Sequence, residues 1–167
     1  MFSPLFLIDG PWKGRLAIAP APAKGSQLKQ ALNGWKRLNV TGVLSLLEDG
    51  VRGWEQEAAL CEQIGIHFYS IPIEDHSVPK PEEMAEVTER LMEVESHLRM
   101  GATIVAHCYA GIGRSGMATV ALLMIAGVPL EEAMDRVSKA RGLACPETEE
   151  QVEWLRSFDH HRRLSYT

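Results

Sequence analysis

Thr103-Ile104-Val105-Ala106-His107-Cys108-Tyr109-Ala110-Gly111-Ile112-Gly113-Arg114-Ser115-Gly116 joins a short apolar run to a glycine-bearing loop, and the chain then continues into the apolar segment Met117 to Ala126. Thr103 to Ala106 reads as a short buried strand, and Arg114 to Ala126 as a buried helix. The loop therefore ends at a helix N-terminus. Its glycines let successive backbone N–H groups turn inward as a nest, and the unpaired donors with the helix dipole add about half a positive charge. A phosphoryl group suits that field. Arg114 opens the helix, where its planar guanidinium can hold two phosphoryl oxygens at once.

The same field acts on Cys108. A free thiol, with a pKa of about 8.5, is mostly protonated at neutral pH, whereas a helix N-terminus and a nearby cation can lower a thiol's pKa to roughly 3.5 to 7.5. The thiolate is then the expected resting form. A sulfur nucleophile at the base of a phosphate cradle, with Arg114 six positions on, suits attack on phosphorus through a phosphocysteine intermediate. The ordinary alternative for a cysteine after a strand is a small buried hydrophobe.

On either side of this segment, helices and strands alternate. Leu28, Ala31, Leu32 and Trp35 recur at helical spacing after a possible cap at Ser26, and Val40 to Leu47 reads as a buried strand. Trp54, Ala58 and Cys61 suggest a helix ending near Gly65; His67 to Ile73 then alternates, with Tyr69, Ile71 and Ile73 on one face. Pro81 suits a first helical turn, and Met84, Val87, Leu91, Val94 and Leu98 trace one stripe before Gly101. Beyond the loop, helices are expected over Arg114 to Ala126, Leu130 to Ala140 and about Glu149 to Arg162. The fold class is α/β, a mostly parallel central sheet flanked by helices, with ligands beyond the carboxyl ends of its strands.

The chain has 167 residues, 46% hydrophobic and 23% charged, which suits a single globular domain over 1–167 and excludes disorder and collagen-like structure. Seventeen Lys and Arg against 22 Asp and Glu give a net charge of −5, so nucleic acid and anionic membranes are not expected partners. Cys61, Cys108 and Cys145 form neither a disulfide framework nor a zinc set, and a reducing cytoplasm fits them best. The start, Met1-Phe2-Ser3-Pro4-Leu5-Phe6-Leu7-Ile8-Asp9, is apolar but lacks a basic leader, so no signal peptide is expected. Met117 to Ala126 is about half the length that crosses a bilayer.

His107-Cys108-x5-Arg114-Ser115-Gly116, with Ala110, Gly111 and Gly113 inside, resembles the signature of cysteine-dependent protein tyrosine phosphatases, specifically their small dual-specificity branch. The likeness runs more loosely from about Val40 to Phe158, and the first forty residues match nothing in it. By this resemblance the whole chain is one phosphatase domain with no cofactor and no metal. Cys108 is its nucleophile; Arg114 and the backbone amides of Tyr109, Ala110, Gly111, Ile112, Gly113 and Arg114 bind phosphate. Ser115 assists departure of the thiolate, and His107 holds the loop and tunes the thiol. No counterpart of the clamping loop of the larger tyrosine-specific enzymes is present, which implies a shallower pocket.

Expelling an alkoxide or phenolate requires a proton donor. Ile71-Pro72-Ile73-Glu74-Asp75-His76-Ser77-Val78-Pro79 leaves a strand at the carboxyl edge of the sheet, and Asp75 best matches the family's general acid, with Glu74 and His76 as alternatives. A solvated turn pair is the plainer reading of Glu74 and Asp75. In Pro146-Glu147-Thr148-Glu149-Glu150-Gln151, Gln151 resembles a glutamine that positions water in some relatives, while Thr148-x-x-Gln151 is equally a capping box. Cys145 is either a structural thiol or a partner that traps oxidised Cys108 as a disulfide. His160 and His161 read as a solvated helix end rather than metal ligands.

Gly111-x-Gly113-x-x-Gly116 with Glu131 formally satisfies a dinucleotide fingerprint, but the segment after it is helical in pattern where that fold needs a strand. Two rivals keep the cradle: an arsenate reductase or sulfurtransferase with the same Cys-x5-Arg loop, and a silent module that only binds phosphorylated partners. Asp75, which neither requires, favours hydrolysis. Tyr109, Ala110 and Ile112 carry no charge, so the expected partner is a phosphorylated protein, with phosphotyrosine and the shorter phosphoserine and phosphothreonine both admissible, rather than an inositide with several phosphates.

Overall fold

The run from Thr103 becomes β5 (Thr103–His107), the middle strand of a five-stranded sheet ordered β1-β2-β5-β3-β4. The other strands are β1 (Phe6–Ile8), β2 (Arg15–Ala19), β3 (Gly42–Ser45) and β4 (His67–Ser70). The structure, a computed structural model, describes residues 3–166. Met1 and Phe2, where the apolar N-terminal stretch begins, lie outside the described residues. β2, β5, β3 and β4 pair in parallel, and β1 joins β2 antiparallel at one edge.

The central strands are buried on both faces, as continuous apolar runs in a parallel sheet require. Their side chains alternate between two cores. Leu16, Ile18, Leu44, Ile104 and Ala106 meet the helices α3 (Met84–Arg99), α4 (Arg114–Ile125), α5 (Leu130–Arg141) and α6 (Glu149–Tyr166). Ala17, Ala19, Val43 and Val105 meet α1 (Leu28–Arg37) and α2 (Glu57–Ile64). Every residue of α4 from Arg114 to Met124 is buried, so its apolar sequence needs no exposed face. No helix among the described residues is long and apolar enough to cross a membrane.

The α/β class and its mostly parallel sheet are as the alternating pattern predicts, but four details differ. The two N-terminal strands are not foreshadowed by any sequence pattern: Phe6–Ile8 is only three residues long, and Arg15–Ala19 stands between Gly14 and Pro20 with no alternation of its own. Backbone pairing, and the bond from Trp35 Nε1 to the carbonyl of Ser3 (2.8 Å), hold that segment in place. Ser26 caps nothing: it sits within a 3-10 turn, Gly25–Gln27, and α1 starts from Gln27 without a side-chain cap. The expected strands Val40 to Leu47 and His67 to Ile73 shorten to β3 and β4. Ile71 and Ile73 are buried outside the strand, on the segment that bends toward the loop after β5.

Candidate active site

β5 delivers His107 to the carboxyl edge at the middle of the sheet, and the chain then wraps into the loop before α4. Gly111 makes this turn feasible. It has φ +75°, and a Cβ there would stand 2.5 Å from the backbone of Ala19 and Pro20, so the loop can lie against the end of β2 only without a side chain. Ala21 N donates to the Tyr109 carbonyl at 3.0 Å, fixing the same contact. From the outside, Arg141 on α5 donates to the carbonyls of Gly111 (3.0 Å) and Ala110 (3.2 Å), with its guanidinium over the Phe6 ring. Loop carbonyls bound outward leave the amides free to point inward.

Cys108 is buried, and its Sγ lies 3.2 Å from Ser115 Oγ in the first turn of α4. The hydroxyl can donate to sulfur and can stabilise a charged sulfur. Arg114 is also buried: Nη1 donates to the Ile73 carbonyl at 2.9 Å, and Nη2 meets Asp75 Oδ1 at 3.0 Å. The fork thus ties the Asp75 segment to the start of α4. His107, wholly buried, places Nδ1 3.2 Å from the Cys108 carbonyl and Nε2 2.6 Å from Glu57 Oε2.

These groups meet in one cavity of about 240 Å³ lined by Asp75, His76, Cys108, Tyr109, Ala110, Gly113, Arg114, Glu147 and Gln151. Of the three acid candidates, Asp75 and His76 line it and Glu74 does not. His76 adopts φ +61° and holds Nδ1 3.0 Å from Glu147 Oε1, spanning the mouth between the two segments that border it. Tyr109 stands exposed on the rim, edge-on to Trp54 with ring centroids 6.0 Å apart, and the Trp54 Nε1 is anchored on the Pro22 carbonyl at 2.7 Å. Ile112 turns away and packs against the core.

Gln151 caps the start of α6, where its Oε1 accepts from the amides of Glu147 (3.0 Å) and Thr148 (3.1 Å) and its own amide donates to Thr148 Oγ1 at 3.1 Å. Its Nε2 faces the Ser77 carbonyl at 3.4 Å, and a Cβ on Gly113 would stand 2.9 Å from that nitrogen. The cap therefore does not exhaust the side chain. Cys145, buried beside Gly116, has its thiol pushed up to about 11, mainly by burial. Cys61 is pushed up to about 12 by burial and by the Glu57 charge. Both remain thiols at neutral pH. His160 and His161 fall in α6, and no group of three or more metal-ligating residues occurs among the described residues.

Glu57, Arg141 and Glu147 reach the site although nothing in the sequence pattern marks them for it.

A mostly parallel sheet whose central strand feeds a Cys-x5-Arg cradle at a helix N-terminus is the architecture of dual-specificity-like cysteine phosphatases. Residues 19–128 match the family model described as "Tc-R-P: Polymorphic toxin system, DSP-PTPase phosphatase", and the chain belongs to that family. It is 30% identical over 100 residues to cyclin-dependent kinase inhibitor 3 of Mus musculus, covering 59% of this chain and 46% of that protein. To dual specificity protein phosphatase 2 of the same organism it is 36% identical over 81 residues, covering 48% and 25%. The chain spans about half the length, or less, of these curated relatives. Among solved structures, kinase associated phosphatase superposes with a TM-score of 0.86 at 18% identity, covering 100% of this chain and 99% of that one, a likeness of fold. Tk-PTP in its active form is 31% identical with a TM-score of 0.74, over 88% and 92%.

Proposed function

We propose that this chain hydrolyses phosphomonoesters on proteins, phosphotyrosine first and phosphoserine and phosphothreonine also, through a phosphocysteine intermediate. The carrying observation is convergence: Cys108, Arg114 and Asp75 share one cavity of a size suited to a phosphoryl group. Cys108 thiolate attacks phosphorus, the ester P–O bond breaks, and Asp75 gives its proton to the departing oxygen. The backbone amides of Tyr109 to Arg114 and the Arg114 guanidinium hold the equatorial oxygens. Before substrate binds, Arg114 pairs with Asp75, and an arriving dianion takes over the guanidinium and leaves the carboxyl beside the departing oxygen. Water then attacks the phosphocysteine, Asp75 takes its proton, the P–S bond breaks toward Ser115, and inorganic phosphate leaves. Gln151 Nε2, free of the capping bonds, is the group assigned to orient that water.

Asp75 supports hydrolysis over arsenate reduction, sulfur transfer or silent binding, none of which needs a proton donor there. Asp75 and Glu147 line the mouth, and Arg114 is the one Lys or Arg among the lining residues, which supports a single phosphate rather than a polyanionic inositide. The three free thiols support a reducing cytoplasm as its location.

The test is phosphate release from an aryl phosphate, phosphopeptides and inositides in excess chelator, beside arsenate with a thiol reductant. Hydrolysis of aryl phosphate and phosphopeptides is expected; turnover of arsenate alone, or loss of activity in chelator, overturns the reading. Asp75→Asn is expected to slow hydrolysis of a poor leaving group by about 10² to 10⁴. With a good leaving group such as p-nitrophenolate it should change the first step far less, a contrast read from single-turnover rates on the two esters.

A further inference from the structure

Behind the nucleophile, and outside the cavity that binds substrate, lies a buried polar pair that the mechanism above does not use. Glu57 opens α2, and its side chain is 3% exposed; His107, the residue before Cys108, is 0% exposed. They are 50 positions apart, and Glu57 Oε2 lies 2.6 Å from His107 Nε2. The far ring nitrogen, Nδ1, is 3.2 Å from the Cys108 carbonyl. A carbonyl can only accept, so Nδ1 must carry a hydrogen, and Nε2 shares a second proton with the carboxylate. A carboxylate thereby selects which atoms of His107 face the nucleophile's own backbone.

The geometry assigns Glu57 the role of positioning residue: acting through His107, it holds the Cys108 peptide so that the sulfur and the amides after it face the phosphate. This rests on the reading of Cys108 as nucleophile. The surroundings leave that role to this pair. Trp35 of α1 covers the imidazole at 6.2 Å and offers no charge, Cys61 of α2 is a thiol under the Glu57 field, and Glu48, Asp49 and Glu55 share the cleft that Glu57 borders. A buried imidazole aimed at a backbone carbonyl keeps one orientation only while its other nitrogen is paired.

The test compares wild type, Glu57→Gln and Glu57→Ala by three measurements: the pH profile of Cys108 alkylation with iodoacetate, the ¹⁵N shifts of the His107 ring, and kcat and KM on an aryl phosphate. Cys61 and Cys145, held as thiols, should not compete for the reagent. In Glu57→Gln the Nε2 shift is expected to move toward that of an unprotonated nitrogen, alkylation at pH 6 to fall about tenfold as the thiolate fraction drops, and kcat to fall by about 10 to 100 with KM little changed. Glu57→Ala should be worse on every count, so that Gln gives partial rescue. The ring shifts check that the pair is broken; a purely structural role lowers the melting temperature and leaves the alkylation profile and kcat of the folded protein unchanged, and that result overturns the assignment. If Glu57→Ala does not fold, the alkylation profile of Glu57→Gln decides it alone. If wild type hydrolyses no ester, the phosphatase reading fails separately, because the first two measurements need no turnover.

Discussion

Cys108→Ser is expected to lower kcat on an aryl phosphate by about 10⁵ or more while the protein stays folded and still binds phosphopeptide. Oxygen replaces sulfur at nearly the same volume, and Ser115 Oγ, 3.2 Å from Sγ, remains a hydrogen-bond partner for the new hydroxyl. The cavity walls, the Gly111 turn and the Arg141 bonds to the loop are untouched, so the donors for phosphate persist. A serine hydroxyl, however, is a far weaker acid than a thiol and supplies almost no nucleophilic anion. The check is phosphate release against calorimetric titration of a phosphopeptide: retained binding with lost turnover is the expected pair, and retained turnover removes Cys108 as the nucleophile.

Arg114→Lys is the second large effect, expected to lower kcat/KM by about 10³ to 10⁵. An ammonium is one point of charge on a flexible stem, whereas the guanidinium reaches the Ile73 carbonyl with one nitrogen and Asp75 with another. Lysine loses the bidentate hold on phosphate and also the bond that keeps the Asp75 segment over the cavity, so KM should rise and kcat fall together. The Ile73 carbonyl loses its buried donor, which costs about 1 to 3 kcal/mol and should lower the melting temperature. The Asp75 ion pair adds little to that loss, because its carboxylate is 57% exposed. Full activity in the lysine variant would show that one positive charge suffices and that the fork geometry is irrelevant.

The long helices were legible because apolar stripes such as Met84 to Leu98 repeat over several turns, and the buried helix after Arg114 because Thr119 alone is polar between Met117 and Ala126. β1 and β2 were not legible: a few apolar residues between Gly, Pro and Trp have no period, and their strand character comes from partners far along the chain. At the site, Asp75 and Glu74 are chemically equivalent neighbours, and only the path from Ile73 decides which one Arg114 meets. Gln151 offered two readings, and folding gave its Oε1 to the helix start while leaving Nε2 toward Gly113.

The cradle was readable along the chain, because a nest of amides, a helix start, a sulfur and a guanidinium all lie within one loop and need only local backbone geometry. The groups that reach the loop from elsewhere were not: Asp75 comes from the segment after β4, Glu57 from α2, Arg141 from α5 and Gln151 from α6. Those side chains are 30 to 50 positions away from the loop residues they touch, and their convergence depends on strand order and on which face of each helix is buried. Packing against a shared sheet sets both, and no spacing along the chain records it.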